Sequence, residues 1–135
     1  MTTPVYAHMG LNCKNLDATE AFYCTHFGFR RVRLIPLGDD RIVFIKAGDV
    51  YLELFTAKGD SPEPPYANDG PPYPGFRHIS FTVEDVDASL KAIGAEVTLG
   101  PLAFDDFIPG WKTAWIKDPD GRIIEISQGY RDEMP

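Results

Sequence analysis

Two histidine–glutamate combinations are the residues of this sequence best suited to chemistry. His8 precedes Glu53 by 45 positions in the first half of the chain, and His78 precedes Glu125 by 47 in the second half. Imidazole nitrogens and carboxylate oxygens are suitable ligands for a divalent first-row metal, and a set of four leaves coordination positions open for a substrate. The residue types therefore predict a metal site, provided that the fold brings them to one place.

The matching separations belong to an internal repeat, which is a sequence signature of duplicated architecture. HMGLNCKNLDAT at residues 8–19 matches HISFTVEDVDAS at residues 78–89. FIKAGDVYLELF at residues 44–55 likewise matches WIKDPDGRIIEIS at residues 115–127, and each segment contains a glutamate near its end. Two copies of one module, each with one histidine and one glutamate, are difficult to obtain by chance.

The elements that must position these residues follow the same order in both halves. A strand (residues 5–13 and 76–83) precedes a helix (17–27 and 86–93), which has Asp or Asn near its start and Gly near its end. Three further strands are predicted at residues 30–36, 41–47 and 50–56, and at 96–99, 111–117 and 122–127. Each half is therefore a βαβββ module, and the predicted fold class is α+β.

The two modules are expected to form a single domain, since 135 residues is an ordinary length for one. We assign residues 1–135 to it, with module 1 at about 4–57, a linker at 58–75 and module 2 at about 76–128. The linker contains six prolines between Pro62 and Pro74, a composition typical of an extended connection.

All four candidate ligands lie on the strand face turned away from the predicted core. Side chains alternate along a strand, so His8 shares its face with Gly10, whereas Met9 and Leu11 belong to the core. Burying an unpaired carboxylate costs several kcal/mol, so a glutamate in so apolar a strand must be paired, bound to metal or facing water. One such residue alone is more often structural or solvated. Four at repeat-equivalent positions favour a metal site.

Composition and charge exclude several partner classes. The formal net charge is −7 and the basic residues are scattered, which argues against nucleic acid and anionic membranes. No apolar run is long enough to span a membrane, and no signal peptide precedes the first strand, so we expect a cytoplasmic protein. Cys13 and Cys24 are expected to be free thiols. His26 has no repeat partner, and we expect it at the surface near the end of its helix.

The two ends of the chain resemble a known family. The opening H-x-G-L-N-C-x-N-L-D-A-T-E-A-F-Y with F-G-F after it, and the closing D-P-D-G-R-I-I-E-I, are similar to the ends of vicinal oxygen chelate proteins, the glyoxalase, bleomycin resistance and extradiol dioxygenase superfamily. The resemblance extends over residues 5–127. It implies that each module curls into a cup of mixed strands with its helix outside. The metal positions that it implies are His8, Glu53, His78 and Glu125.

The ligand set is most similar to that of glyoxalase I. Extradiol dioxygenases and fosfomycin-modifying transferases use only the equivalents of His8, His78 and Glu125, epimerases commonly carry Gln in place of Glu53, and bleomycin-binding relatives lack the set. The resemblance therefore implies a glyoxalase-like isomerase or lyase with one divalent ion, Ni, Zn, Co, Mn or Fe. The alternatives are an epimerase, an extradiol dioxygenase, an antibiotic-modifying transferase or a non-catalytic drug-binding resistance protein.

The implied chemistry is proton transfer next to a metal-chelated carbonyl of a small molecule with vicinal oxygens. Glu125 is the favoured base and Glu53 the second candidate. Asn12 and Ala57 stand where glyoxalase I typically has an Arg and an Asn for glutathione, which argues against glutathione as a substrate component. A different anion contact could come from one of five basic residues: Arg30, Arg31, Arg33, Arg77 or Lys112.

Two structural expectations complete the interpretation. The loop at residues 104–111, with Tyr66 and Tyr73 of the linker, could form walls of the substrate pocket. The family resemblance also predicts a homodimer, in which the metal site lies within one chain or is shared across the interface.

Overall fold

The computed structural model describes residues 2–135, which form two compact units that divide between Pro62 and Glu63. Each unit contains one helix and one four-stranded sheet. The elements of the first unit are β1 (Met9–Cys13), α1 (Leu16–His26), β2 (Arg30–Leu37), β3 (Asp40–Ala47) and β4 (Val50–Thr56). Those of the second are β5 (Ile79–Thr82), α2 (Val86–Ile93), β6 (Val97–Ala103), β7 (Lys112–Lys117) and β8 (Ile123–Gln128). The predicted α+β class and the tandem βαβββ modules are confirmed.

Both sheets are mixed and have the same topology. The strand orders are β1-β4-β3-β2 and β5-β8-β7-β6. The last three strands of each unit are antiparallel neighbours, whereas β1 pairs with β4, and β5 with β8, in parallel. A parallel pair needs a long crossover connection, and the segment containing the helix and two strands supplies it. The first and last strands of each module therefore lie side by side.

Local sequence signals set the ends of both helices. Oδ1 of Asn15 accepts a hydrogen bond from the backbone N–H of Ala18, and Oδ1 of Asp85 accepts one from Ala88. These bonds satisfy backbone donors that the first helical turn leaves without partners. Gly94 ends α2 in a left-handed conformation with φ of 67°, which favours glycine.

The core of each unit lies between its helix and one face of its sheet. Leu16, Thr19 and Tyr23 are buried at positions that share one face of α1. Alternate strand residues complete the first core: Leu11, Cys13, Val43, Ile45, Leu52 and Leu54. In the second unit the corresponding buried residues are Val86, Ala114, Ile116, Ile124 and Ile126. The opposite face of each sheet is left for the candidate ligands.

Three predicted strand boundaries are wrong. β1 and β5 were expected to begin at residues 5 and 76, but they begin at Met9 and Ile79, so that His8 and His78 immediately precede the strands. Val5 is 88% exposed and Phe76 is 83% exposed. The apolar alternation there predicted strands, but neither segment pairs with a neighbouring strand. β6 continues to Ala103, because register shifts let it pass Gly100 and Pro101 and stay paired with β7.

No helix among residues 2–135 combines the length and the apolar character that crossing a membrane requires.

Candidate metal centre

The first unit brings His8 and Glu53 together. Nε2 of His8 lies 3.0 Å from Oε1 of Glu53, and the two side chains are 38% and 18% exposed. Gly10 lies beside Glu53 in the parallel ladder. A Cβ at Gly10 would lie 3.3 Å from the Phe55 ring, so the glycine leaves room for that ring and for the glutamate beside it. The pair is thus partly open to solvent, with His8 just before the edge strand β1 and Glu53 on the neighbouring strand β4.

The second unit brings His78 and Glu125 together in the same way. Nε2 of His78 lies 3.4 Å from Oε1 of Glu125, and both side chains are less exposed than their counterparts His8 and Glu53. Nδ1 of His78 lies 2.6 Å from the carbonyl oxygen of Asp69. A carbonyl oxygen can only accept a hydrogen bond, so Nδ1 must carry a proton and donate it. When the ring is neutral, its lone pair is therefore on Nε2, the nitrogen that faces Glu125.

Glu125 has a hydrogen-bond partner with no counterpart at Glu53 among the contacts of the described residues. The hydroxyl of the buried Thr113 donates to Oε2 of Glu125 at 2.9 Å, which leaves Oε1 toward His78. Trp115 lies opposite Glu125 in the ladder, and Phe44 lies opposite Glu53. Thr113 lies two residues before Trp115. The equivalent residue of the first unit, two positions before Phe44, is Ile42. At this position the second unit has a hydroxyl that holds the carboxylate in place, and the first unit has an isoleucine, which cannot do so.

An aromatic ring stands beside each pair. The Phe44 ring contacts the His8 ring edge-on with centroids 5.4 Å apart. The Trp115 ring lies 6.3 Å from the His78 ring, and its indole N–H is buried with no acceptor among the described residues. Because each aromatic is also the cross-strand neighbour of the glutamate, both members of a pair are shielded on one side from water. Shielding of this kind strengthens electrostatic interactions.

Neither unit, over the residues described, gathers three or more His, Cys, Asp or Glu side chains in an arrangement that could hold a metal by itself. Each predicted ligand is therefore placed with one predicted partner, in its own unit. His26 lies at the end of α1, where its ring contacts Phe22 and Phe27. The expectation of a helix-end position for this third histidine is confirmed.

The expected pocket walls of the second unit make contacts of their own. Nε1 of Trp111 donates to the Ser127 hydroxyl at 3.0 Å, and its ring packs on Phe104. Phe107 is 76% exposed. Tyr66 and Tyr73 line a cavity of about 180 Å³ formed by the proline-rich segment itself. Their role as substrate contacts stays a prediction.

Two contacts at the site were not expected from the sequence. One is the Asp69 carbonyl on His78, which comes from the segment predicted only as a linker. The other is the Thr113 hydroxyl on Glu125, which depends on the register of β7 against β8. A threonine directly before the apolar run 114–116 of a predicted strand was the signal available for the second. No signal in the sequence marks a particular carbonyl.

Comparison with known proteins identifies the family of this chain. The model of the Glyoxalase/Bleomycin resistance protein/Dioxygenase superfamily matches residues 5–126, which is nearly the whole chain. The chain belongs to this superfamily. Its two sheets, each with a parallel pair formed by the first and last strands of a module, are therefore a superfamily fold, as the sequence resemblance implied.

Two similar proteins match this chain over nearly their whole length. A glyoxalase family protein from Enterococcus faecalis has a TM-score of 0.67 and 32% identity, with 91% of this chain and 96% of that chain covered. The uncharacterized protein YwkD of Bacillus subtilis is 24% identical over 123 residues, or 88% of this chain and 92% of the relative. These matches extend the superfamily membership across both units.

A third similar structure was solved with a metal. This is the fosfomycin resistance protein FosX from Listeria monocytogenes, complexed with Mn(II) and sulfate ion. Its TM-score is 0.64 at 18% identity, and the match covers 96% of this chain and 95% of that chain. At this identity the likeness shows the fold alone.

Proposed function

We propose that this protein is a divalent-metal-dependent, glyoxalase-like isomerase or lyase. It would move a proton next to a carbonyl of a small molecule that has two neighbouring oxygens. The observation that carries the proposal is the orientation of His78, whose Nδ1 donates to the Asp69 carbonyl so that Nε2 faces Glu125. Histidines that bind metals almost always donate their other N–H in this way, which fixes the tautomer and the ring.

The chemistry of the two pairs fits a bound cation. In each pair a histidine nitrogen faces a carboxylate oxygen, at 3.0 Å for His8–Glu53 and 3.4 Å for His78–Glu125. For His78, whose lone pair lies on Nε2 when the ring is neutral, the lone pair and the Glu125 carboxylate repel each other, and a cation that binds both removes the repulsion. We propose that the two pairs together ligate one ion, Ni, Zn, Co, Mn or Fe, and that the two units act as one domain.

The proposed reaction uses few groups of the protein. When bound, the metal ion supplies Lewis-acid polarisation of the two substrate oxygens. The Glu125 carboxylate accepts the proton of the neighbouring C–H bond and returns it to the adjacent carbon, so no oxidant or reductant is needed. Thr113 holds Oε2 of Glu125 in place during the transfer. Phe44 and Trp115 restrict water beside the two pairs.

The presence of Glu53 supports the glyoxalase-like branch over the dioxygenases and transferases. Glu53 lies within 3.0 Å of His8, so the fourth ligand position is both present and oriented toward a histidine. A three-residue facial triad would not need a carboxylate there. Glutathione is not part of the proposal, because Asn12 and Ala57 replace the residues that the resemblance leads one to expect for it.

A homodimer is part of the proposal. Both sheets end in a short edge strand, β1 with five residues and β5 with four, and edge strands present unpaired backbone groups that can bind another chain. Exposed Val5, Tyr6 and Phe76 precede these strands. We propose that dimer contacts cover them. Neither Cys13 nor Cys24 is part of a disulfide within the described residues, which suits a reducing compartment such as the cytoplasm.

Metal content tests the ligand assignment. The purified protein is expected to hold close to one divalent ion per chain by elemental analysis. His8→Ala and His78→Ala should lower this sharply, whereas His26→Ala, at the end of α1, should leave it unchanged. Undiminished metal in both ligand variants would overturn the assignment.

Proton exchange tests the chemistry. A panel of hemithioacetal, acyl-CoA and hydroxycarbonyl compounds is incubated in deuterium oxide, and deuterium entering the carbon next to the carbonyl is measured by mass spectrometry. We expect exchange that requires both the metal and Glu125. Oxygen uptake with Fe(II) and a catechol, without exchange, would replace the proposal by a dioxygenase. Tight binding of an aromatic drug by metal-free protein would replace it by a resistance protein.

A further inference from the structure

A β-bulge brings two arginines of β2 to one face of the first sheet. Arg30 pairs with Lys46 and Arg33 pairs with Phe44, and the register shifts between Arg31 and Arg33. Without the extra residue, positions three apart in a strand would point to opposite faces. The bulge therefore gives Arg30 and Arg33 the same face, and Arg31 takes the other one, where it binds Glu20 of α1 through two hydrogen bonds of 2.7 Å.

The shared face is the one that carries Glu53. Two rows of paired residues cross it: Arg33, Phe44 and Glu53 form one, and Arg30, Lys46 and Tyr51 form the other. A cavity of about 370 Å³ on this face is lined by Arg30, Val32, Arg33, Phe44, Lys46 and Tyr51. Phe44 connects the cavity to the candidate metal centre, since its ring also contacts His8.

The basic side chains of this cavity have no acidic partners in the described part of the chain. Within residues 2–135, none of Arg30, Arg33 and Lys46 pairs with an acidic side chain, although the chain has a net charge of −7. The other three basic residues considered for an anion contact form ion pairs: Arg31 with Glu20, Arg77 with Asp69 and Lys112 with Asp87. Nζ of Lys46 lies 4.9 Å from the centre of the Tyr51 ring, a cation–π contact that leaves its charge available. Three cations without a carboxylate partner on one wall of a cavity attract anions.

We propose that Arg30, Arg33 and Lys46 bind an anionic group, a carboxylate or a phosphate, at the end of the substrate remote from the reacting carbonyl. The inference rests on the proposed function and narrows its substrate class. Lys46 is one strand over and two residues along from Glu53, and Arg33 is two strands over. At about 4.8 Å between strands and about 3.4 Å per residue, their Cα atoms lie about 8–10 Å from that of Glu53. The substrate is thus a short acid or phosphate ester, with its apolar middle against Phe44 and Val32.

The experiment follows the Arg Nε–Hε signals of zinc-loaded protein by NMR while an anion is added. Inorganic phosphate and glutarate distinguish the two anion chemistries, and glutaramide is the neutral counterpart of glutarate. We expect the Arg30 and Arg33 signals to shift with at least one anion and not with glutaramide. Arg33→Ala should weaken binding about fivefold or more. Arg31→Ala is the matched control, because this neighbour faces α1 instead, and it should stay within about twofold.

The result also separates this inference from the proposed function, because the titration is repeated on His8→Ala. Anion binding that survives in that variant places the anion away from the metal ligands, whatever the metal content is. Three outcomes would overturn the inference: unshifted Arg30 and Arg33 signals, equal weakening by Arg31→Ala and Arg33→Ala, or anion binding that is lost in His8→Ala. Loss of metal in His8→Ala leaves the inference standing.

Discussion

Nδ1 of His78 donates a hydrogen bond to the carbonyl oxygen of Asp69, over a distance of 2.6 Å. The proline-rich segment thus sets the orientation of a candidate ligand as well as connecting the two modules. Contacts with Arg77 hold this segment in place. Both carboxylate oxygens of Asp69 accept hydrogen bonds from Arg77, and the backbone of Gly70 lies against the backbone of Arg77. Changes in this segment should therefore affect metal binding at a distance.

Gly70→Ala should lower both stability and metal affinity. Gly70 has φ of +119°, and a Cβ there would lie 2.0 Å from the Arg77 carbonyl oxygen, so the segment must move. We expect a loss of at least about 2 kcal/mol in the free energy of unfolding, measured with denaturant, and weaker zinc binding by competition with a chelator. Gly59→Ala is the control, because its φ is also positive but nothing lies within 4 Å of the added carbon. Equal effects of the two variants would show that the close contact is irrelevant.

Thr113→Val should weaken the site without unfolding the protein. Valine has nearly the shape of threonine but cannot donate to Oε2 of Glu125, so the carboxylate loses its anchor. A hydrogen bond to a charged group contributes about 1.5 kcal/mol or more, which corresponds to roughly tenfold in metal affinity. Thr113→Ser keeps the hydroxyl and should retain most of the affinity. If valine and serine behave alike, packing and not the hydrogen bond is what matters at this position.

Glu125→Gln should cost far more turnover than metal. The amide oxygen can still bind a cation, but the amide cannot accept a proton at neutral pH. A well-placed general base contributes about 10²- to 10⁴-fold, so we expect a rate loss of that order with a modest fall in metal content. Glu53→Gln should do less, since the family resemblance implies that Gln at this position is compatible with metal binding. Full activity of Glu125→Gln, or greater damage from Glu53→Gln, would reverse the roles of the two glutamates.

Cys24 should react slowly with alkylating reagents. Burial raises the pKa of its thiol above the ordinary value, and the carboxylate of Glu20 raises it further. Less thiolate is then present at pH 8, so iodoacetamide should modify Cys24 more slowly than a peptide cysteine, as followed by mass spectrometry. Glu20→Gln removes a raising charge and frees Arg31, so it should speed the reaction. An unchanged rate in that variant would leave burial as the whole cause.

The same shift predicts a pH dependence of stability. A thiol whose pKa is higher in the folded state keeps its proton there while the unfolded chain loses it. The free energy of unfolding should therefore fall as the pH rises above the ordinary cysteine pKa of about 8.5. Cys24→Ser should reduce this slope in denaturant titrations, with the wild-type chain at pH 7 as reference.

Most of the fold could be predicted from the sequence because alternation and helix caps are local signals. The predicted and observed bounds coincide at α2 and β4, where Asp85 and Gly94 limit the helix and a glycine turn precedes the strand. The predictions at Val5 and Phe76 are wrong because an apolar segment becomes a strand only when a partner strand is beside it. Pairing is a tertiary property that a local pattern does not contain.

The candidate site was predictable only in its residue types. The repeat indicated His8, Glu53, His78 and Glu125, and the structure places each histidine beside the glutamate of its own module. The contacts that orient them depend on register and on a loop. Plain alternation would also have put Arg31 and Arg33 on one face, whereas the bulge pairs Arg33 with Arg30. One inserted residue is enough to reverse a prediction of this kind.

The difference between Thr113 and Ile42 has a consequence for how a duplicated chain diverges. Immediately after a duplication the two glutamates have identical neighbours, and neither half of the molecule is specialised. Isoleucine and threonine codons differ at a single base. One nucleotide change at this position is therefore enough to give one copy an anchored carboxylate and leave the other without the anchor, after which selection can act on the two halves separately.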